Sequence, residues 1–359
     1  MNKLMDRLMG AGSIKTANIL ENSVYFNKKD MITTNIPALN IALSGKIDGG
    51  LTSGITFIAG PSRHFKSLFG LIMVKAYLTK YPDAVCLFVD SEFGITPEYI
   101  KSVGIDTNRV LHVPIEHIEQ LKFDLSKRLD EIQRGDRVIV FIDSIGNLAS
   151  KKEVDDALDE KSAADMTRAR QLKSLFRIIT PHFTTKDIPC VVVNHTYMEQ
   201  TMYPKAIMSG GTGPMYSANQ VFIIGKQQEK DGKELTGYNF IINVEKSRYV
   251  REKSKIPIEV SFEGGISKWS GLLDIALETG YVIKPSNGWY SRIDPETGEV
   301  EDKKFREKDT NTKEFWLPLL TSKPFRAAVE DLYVVAHGEI IKQDDAVEDV
   351  YDSIPEDEE

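Results

Sequence analysis

ITFIAGPSRHFKS, Ile55 to Ser67, sets an apolar strand directly before a loop able to wrap a triphosphate. From Gly60 the loop runs through Pro61, Ser62, Arg63 and His64 to Phe65, Lys66, Ser67 and Leu68, against the Walker A spacing of glycine, four residues, glycine, lysine, serine or threonine. The chemistry accounts for the spacing. Exposed backbone amides and the positive end of the following helix cradle phosphates, Lys66 reaches β and γ oxygens, and Ser67 ligates Mg2+. Phe65 stands where the pattern has its second glycine. A β-carbon there is tolerated only where the backbone avoids positive φ and leaves room for phosphate, which makes Phe65 the weak point of the match. The bland alternative is an ordinary strand-to-helix turn.

Three further apolar runs strengthen the nucleotide reading. VIVFIDS, Val138 to Ser144, is the pattern of a central parallel strand that delivers a carboxylate, Asp143, to the sheet's C-terminal edge beside the metal on Ser67. VCLFVDSE, Val85 to Glu92, brings Asp90 and Glu92 to the same edge, where a carboxylate can orient and deprotonate an attacking water. CVVVNHT, Cys190 to Thr196, adds Asn194 and His195. For one strand-end Asp, a turn or helix cap is as good an explanation as catalysis. Four strand ends in one crevice favour a site.

In this order the motifs resemble the RecA-type homologous recombinases over most of the chain, and their phage members above all. The resemblance implies an α/β fold: a RecA-type P-loop ATPase core with a mostly parallel central sheet flanked by helices, a small N-terminal oligomerisation segment and a small α/β C-terminal domain. It also implies ATP and Mg2+ as cofactors, Glu92 as general base, Tyr99 of VDSEFGITPEY as a base-stacking platform and Asp143 as the metal partner. His195 occupies the position of the family's γ-phosphate sensor, a glutamine in bacterial members; it and Phe65 look like the phage variant.

Met198 to Ala218 resembles the family's second DNA-binding loop. Read from residues alone, Gly210, Gly211 and Gly213 lie among Met198, Met202, Tyr203, Met208, Met215 and Tyr216 with no period of 2 or 3.6, which argues a mobile, adaptable loop. Apolar and aromatic side chains on such a loop can stack on unpaired bases; a substrate lid is the alternative. In RARQLKSLFRII, Leu172, Leu175, Phe176 and Ile179 follow the spacing of a buried helix face, with Arg170, Lys173 and Arg177 opposite and Ser174 near them. That basic face is either simply solvated or tracks a phosphate backbone. The preceding acid-rich stretch, Lys152 to Met166, reads as a poorly ordered loop and resembles the first DNA loop.

A second basic group, NVEKSRYVREKSK from Asn243 to Lys255, is too dense in charge for a core. It is either a protective sheet edge or, as the resemblance implies for Lys246 and Arg248, a pair of cations that reach the neighbouring subunit's ATP. A head-to-tail contact of that kind, if it does not close, generates a helical filament.

At 359 residues with 41% hydrophobic content there is chain for one large core with satellites. Cys86 and Cys190 lie in apolar strands and read as core residues with no disulfide role. No apolar run reaches membrane-spanning length and no signal-peptide pattern opens the chain, so no membrane is expected and the cytoplasm is, that of the host cell if a phage encodes the protein. The net charge of -8 sits in Asp344 to Glu359, whose nine acidic residues and no basic ones leave the rest at +1. This tail is expected to be disordered and to compete with DNA for basic surfaces.

The expected segments are 1–32 for subunit contact, 33–269 for the ATPase core with its DNA loops, 270–342 for the small domain, and 343–359 for the acidic tail. LMDRLMGAG and Val24, Tyr25 and Phe26 suit either a neighbouring subunit or the chain's own core, and Trp316 and Phe325 read as core of the small domain. The function implied is a DNA-dependent ATPase that forms filaments on single-stranded DNA and pairs it with double-stranded DNA, assisted by single-strand-binding and loading proteins. A ring-forming hexameric helicase and a P-loop small-molecule kinase stay open.

Overall fold

The computed structural model describes residues 3–14, 16–25, 30–158, 167–231, 234–263 and 265–335. The chain opens with α1 (Lys3–Ala11) and α2 (Pro37–Ser44), after which strands and helices alternate: β1 (Gly54–Ala59), α3 (Lys66–Lys80), β2 (Val85–Asp90), α4 (Pro97–Ser102), β3 (Val110–Pro114), α5 (Ile118–Glu131), β4 (Val138–Asp143), α6 (Lys151–Leu158), α7 (Thr167–Thr185) and β5 (Pro189–Asn194). A hairpin of β6 (Thr196–Met198) and β7 (Ala206–Met208) and the short α8 (Thr212–Ser217) lead into β8 (Gln220–Asp231), β9 (Glu234–Ser247), β10 (Lys255–Ser261) and β11 (Gly265–Ile266). The last part holds α9 (Leu272–Glu278), β12 (Val282–Ser286), β13 (Trp289–Arg292), β14 (Phe305–Arg306), α10 (Glu307–Thr310), α11 (Lys313–Thr321) and α12 (Lys323–Tyr333).

Among the described residues, nine strands form one sheet in the order β11-β10-β9-β8-β1-β5-β4-β2-β3. The pairs from β8 through β1, β5, β4 and β2 to β3 are parallel, and β9, β10 and β11 extend the sheet antiparallel. The expected mostly parallel sheet is therefore present. Strands buried on both faces read as unbroken apolar runs because helices cover each side. Ile58, Ile139 and Phe141 face the cluster that includes Phe69 and Met73 of α3. Their neighbours Phe57, Val140 and Ile142 face the opposite cluster, with Leu125 of α5 and Leu175 and Phe176 of α7. Alternation of period two within a run that looks uniformly apolar is what makes a three-layer sandwich.

The C-terminal sheet of β12, β13 and β14 and its helices share the first of those clusters: Phe315, Trp316, Leu319 and Phe325 pack in one continuous core with Ala38 and Leu39 of α2 and Ile256 and Ile258 of β10. Trp316 and Phe325 are core, as expected. At the other terminus, α1 buries none of its residues, with Met5 42% and Leu8 62% exposed, so it does not pack on its own core. Val24 and Tyr25, in contrast, dock on their own chain: Arg134 donates to the Val24 carbonyl at 2.8 Å and lies 5.3 Å from the Tyr25 ring centre. Phe26 and the acidic tail lie outside the described residues. Cys86 and Cys190 are buried and unbridged. Among the described residues no helix is long and apolar enough to cross a membrane.

Two segments expected as loops carry regular structure. The first half of Lys152 to Met166 belongs to α6, and residues 159–166 lie outside the described residues. Its start is a reciprocal cap, with Ser150 Oγ accepting from the Glu153 amide at 3.1 Å and Glu153 Oε2 accepting from the Ser150 amide at 3.3 Å. Met198 to Ala218, in turn, is not a structureless loop but contains the second half of a hairpin and a helix. Gly210 and Gly211, at φ of 101° and 73°, make the turn into α8. Gly213 lets α8 lie against α7, because a Cβ there would meet Lys173 Cα at 2.8 Å. These glycines serve packing and turning, which composition alone does not reveal.

Candidate functional site

Adjacent strands β1, β5, β4 and β2 end side by side at one edge of the sheet, so the loop after Ala59, the pair Asn194 and His195, Asp143, and the Asp90 to Glu92 turn form one row. Between β1 and α3 the backbone turns through left-handed residues at Arg63 and Phe65, with φ of 61° and 56°. Phe65 therefore adopts positive φ, so the condition set for a β-carbon at this position is not met. A non-glycine residue in that region costs about 1–2 kcal/mol. The ring, however, packs on Phe240 of β9 at 4.7 Å between centres, and such a pair contributes about 0.5–1.5 kcal/mol. The two effects are of similar size. Phe240 is supplied by a strand far along the chain, so no local pattern could announce it.

Lys66 begins α3 and is buried, with its Nζ donating to the Pro61 carbonyl at 2.8 Å. Burial lowers its pKa, opposed by the charges of Glu92 and Asp143. Pro61, Ser62 and Arg63 are exposed and His64 partly so, with His64 Nδ1 2.9 Å from the Ser62 carbonyl oxygen. Gly60 is buried, and Leu68, in the first turn of α3, packs against the core.

Asp143 is 3% exposed and its Oδ1 has no hydrogen-bond partner among the described residues. Burial pushes its pKa up to about 6, against the opposing effect of a hydrogen bond from Ser67. An under-satisfied carboxylate oxygen next to a serine hydroxyl suits a hard divalent cation, which takes oxygen ligands. Without the ion the carboxylate is a liability. A folded-state pKa raised from 3.8 to about 6 means that ionisation destabilises the fold by up to about 3 kcal/mol above pH 6, fading as pH falls towards 4. Asp143→Asn is accordingly expected to raise the metal-free Tm by a few degrees at pH 8 and hardly at all near pH 4. A lower Tm for the variant at pH 8 would contradict this account.

Glu92 sits at the centre of a polar network. Its Oε1 lies 3.0 Å from His195 Nε2 and 3.3 Å from Asn147 Nδ2, and accepts from the Ser144 hydroxyl. The His195 hydrogen bond is the main cause that lowers the Glu92 pKa, with burial opposing and Ser144 assisting, so the group is a carboxylate. Asp90, its neighbour, has a structural task instead: Oδ1 accepts from the amides of Glu92 and Phe93 at 3.0 and 2.9 Å, and Oδ2 lies 3.2 Å from His112 Nε2. It closes the turn that presents Glu92. Tyr99 is 40% exposed in the first turn of α4, and burial, with the Asp143 charge assisting, raises its pKa. Ser144 and Asn147 were not singled out from sequence, although both stand in the same IDSIGN stretch as Asp143.

Lys246 and Arg248 are placed away from this row. The Arg248 amide donates to Asn219 and the Asn219 amide to Ile55, at the start of β1; Gly60 lies five strand residues further on, roughly 16 Å. Lys246 Nζ caps α8 by donating to the Met215 carbonyl at 2.8 Å, a favourable place for a cation. Burial lowers its pKa, with Arg248 adding to the effect. Arg248 is exposed.

On the far side of His195 the hairpin presents exposed apolar side chains: Tyr197, Met198, Met202 and Tyr203 are 52%, 59%, 87% and 79% exposed. Helix α7 buries Leu172, Leu175, Phe176 and Ile179 as expected and leaves Arg170, Lys173 and Arg177 exposed, with Ser174 half-buried.

The sequence matches the RecA N-terminal domain over residues 2–267 and the C-terminal domain of the bacteriophage T4 recombination and repair protein over residues 269–329. It is 58% identical over 337 residues to the recombination and repair protein of Enterobacteria phage T4, covering 93% of this chain and 86% of that protein. Protein RecA of Ruegeria pomeroyi is 26% identical over 97% of this chain and 94% of its own length. Protein RecA of Paracoccus denitrificans is 26% identical over 93% of this chain and 88% of its own. A three-layer core with its Walker A loop and strand-edge carboxylates and a second, C-terminal match together place the sequence: the chain belongs to the RecA family, in the branch of the phage recombination and repair proteins.

Proposed function

We propose that this protein is an ATP-dependent recombinase that assembles as a helical filament on single-stranded DNA and exchanges its strand with a homologous duplex. The observation that carries the reading is the row at the sheet edge, Lys66, Asp143 and Glu92 in line, joined through His195 to a hairpin of exposed aromatic and methionine side chains. The amides of Gly60 to Ser67 and the Lys66 ammonium hold the triphosphate. Ser67 and Asp143 hold Mg2+, which when bound neutralises charge on the phosphate oxygens. Glu92 takes the proton of the water that attacks the γ-phosphorus, and Tyr99 stacks on the base.

His195 holds Oε1 of Glu92, so a turn of the imidazole towards the γ-phosphate frees that oxygen. The same residue opens the hairpin, which links the state of the nucleotide to the grip on the strand. Lys246 and Arg248 lie at the edge opposite their own phosphate loop and serve the ATP of the adjacent subunit, in the manner of arginine fingers. Phosphates of the strand run along Arg170, Lys173 and Arg177 beside Ser174, while Met198 and Met202 meet its bases and Gly210, Gly211 and Gly213 keep the hairpin seated on α7. The subunit-contact segment at 1–32 offers the apolar face of α1 to a neighbour. Single-strand-binding and loading proteins supply the strand, and the acidic tail at 343–359 competes for the basic surfaces.

Electron microscopy of the protein with single-stranded DNA and a slowly hydrolysed ATP analogue tests the reading. A continuous helix is expected. Closed rings would instead select the helicase architecture.

A further inference from the structure

Arg168, in the first turn of α7, is used neither by the crevice nor by the exposed basic face. Its guanidinium is half-buried and spans two segments: Nε donates to the Leu148 carbonyl at 2.8 Å, Nη2 to those of Ile145 and Gly146 at 3.0 and 2.8 Å, and Nη1 to Ser209 Oγ at 3.4 Å. The planar guanidinium fixes all these donors in one frame, held firmly to 145–148 and by one longer bond to Ser209, so a shift of either segment is felt by the other.

Both segments matter to Glu92 or to the hairpin. Residues 145–148 follow Asp143 and Ser144 directly; Asn147 donates to Glu92, and Gly146 supports the His195 ring so closely that a Cβ would lie 2.2 Å from its Cδ2. Ser209 closes the base of the hairpin: its amide donates to the His195 carbonyl at 2.9 Å and its own carbonyl accepts from Asn194 Nδ2 at 2.8 Å. Helix α7 itself carries Arg170, Lys173 and Arg177 towards solvent and is packed against α8 at Gly213. A displacement of α7 or of the hairpin therefore moves the Arg168 donors, and the backbone under Glu92 and His195 moves with them.

We infer that Arg168 is a positioning residue, the stiff tie through which a single strand bound along α7 and the β6–β7 hairpin sets the geometry of Glu92 for ATP hydrolysis. This rests on the proposed DNA-dependent ATPase. Because a misplacement of about 1 Å can slow a reaction by about 10²-fold, loss of the tie should act on stimulated turnover and spare nucleotide affinity.

The test is steady-state ATP turnover with and without single-stranded DNA for wild type, Arg168→Gln and Arg168→Lys, with melting curves for each. The ratio of stimulated to basal turnover is expected to fall about tenfold or more in the Gln variant, with KM for ATP within about twofold. Lysine keeps the charge in the same place and so guards against a folding failure of the Gln variant; its single ammonium cannot serve both segments, and it should rescue stability but little of the ratio. A ratio unchanged in folded variants, or basal and stimulated turnover falling in parallel, would overturn the tie and leave the DNA-dependent ATPase standing. A wild-type enzyme indifferent to DNA would sink both.

Discussion

Glu92→Gln should lower DNA-stimulated ATP turnover by about 10²- to 10⁴-fold, the range a positioned general base supplies, while ATP-dependent assembly on single-stranded DNA survives. The amide keeps the size of the side chain and can still accept from His195 and Ser144, so the network around it changes little. What it lacks is basicity. The carboxylate in the native protein is held ionised chiefly by the His195 hydrogen bond, a state that no neutral amide reproduces. Turnover in the variant within a few fold of wild type would remove Glu92 from the proton-transfer role.

The double variant Lys246→Ala, Arg248→Ala should reduce turnover by as much or more, about 10³- to 10⁵-fold if these cations act as arginine fingers do. The decisive measurement mixes it with Glu92→Gln. Each protein alone is nearly inactive, but a boundary between an intact Glu92 on one side and intact cations on the other is complete. In a random head-to-tail polymer of equal parts, roughly one boundary in four has that composition, so turnover should return to about a quarter of the wild-type rate. No recovery on mixing would mean that the cations act within their own subunit, despite their position at the start of β1. The Lys246 contact with the Met215 carbonyl also predicts some loosening of α8 in the variant, which a melting curve separates from the catalytic loss.

How much of this was legible in sequence follows from which interactions are local. The four central strands could be read because burial on both faces imposes unbroken apolar runs, and the polar residue that ends each run marks the edge. The amphipathic split of α7 was equally plain, since its period is internal to the helix. Phe65 misled because its left-handed backbone depends on Phe240, a partner from the antiparallel part of the sheet. Asp90 and Glu92 end the same strand, and nothing in their order tells that one carboxylate binds amides while the other faces the crevice. Helix α6 did carry its signal, serine followed three residues later by glutamate, but the acid-rich composition around it outweighed the cap. The hairpin glycines show the converse error: a glycine cluster suggested looseness where two of the three make a turn and the third permits close packing.

Phe315, Trp316 and Phe325 lie in the same apolar interior as Leu39 and Ile258, although the family match divides the chain near residue 268. Cutting the polypeptide there would not release an intact module from an intact engine. It would strip the cover from α2 and β10, leave sticky surface on both halves, and make any lost activity of the shortened protein a report on misfolding. The role of the appended part is better probed by point changes on its outer surface, where charge can be altered and the shared interior left whole.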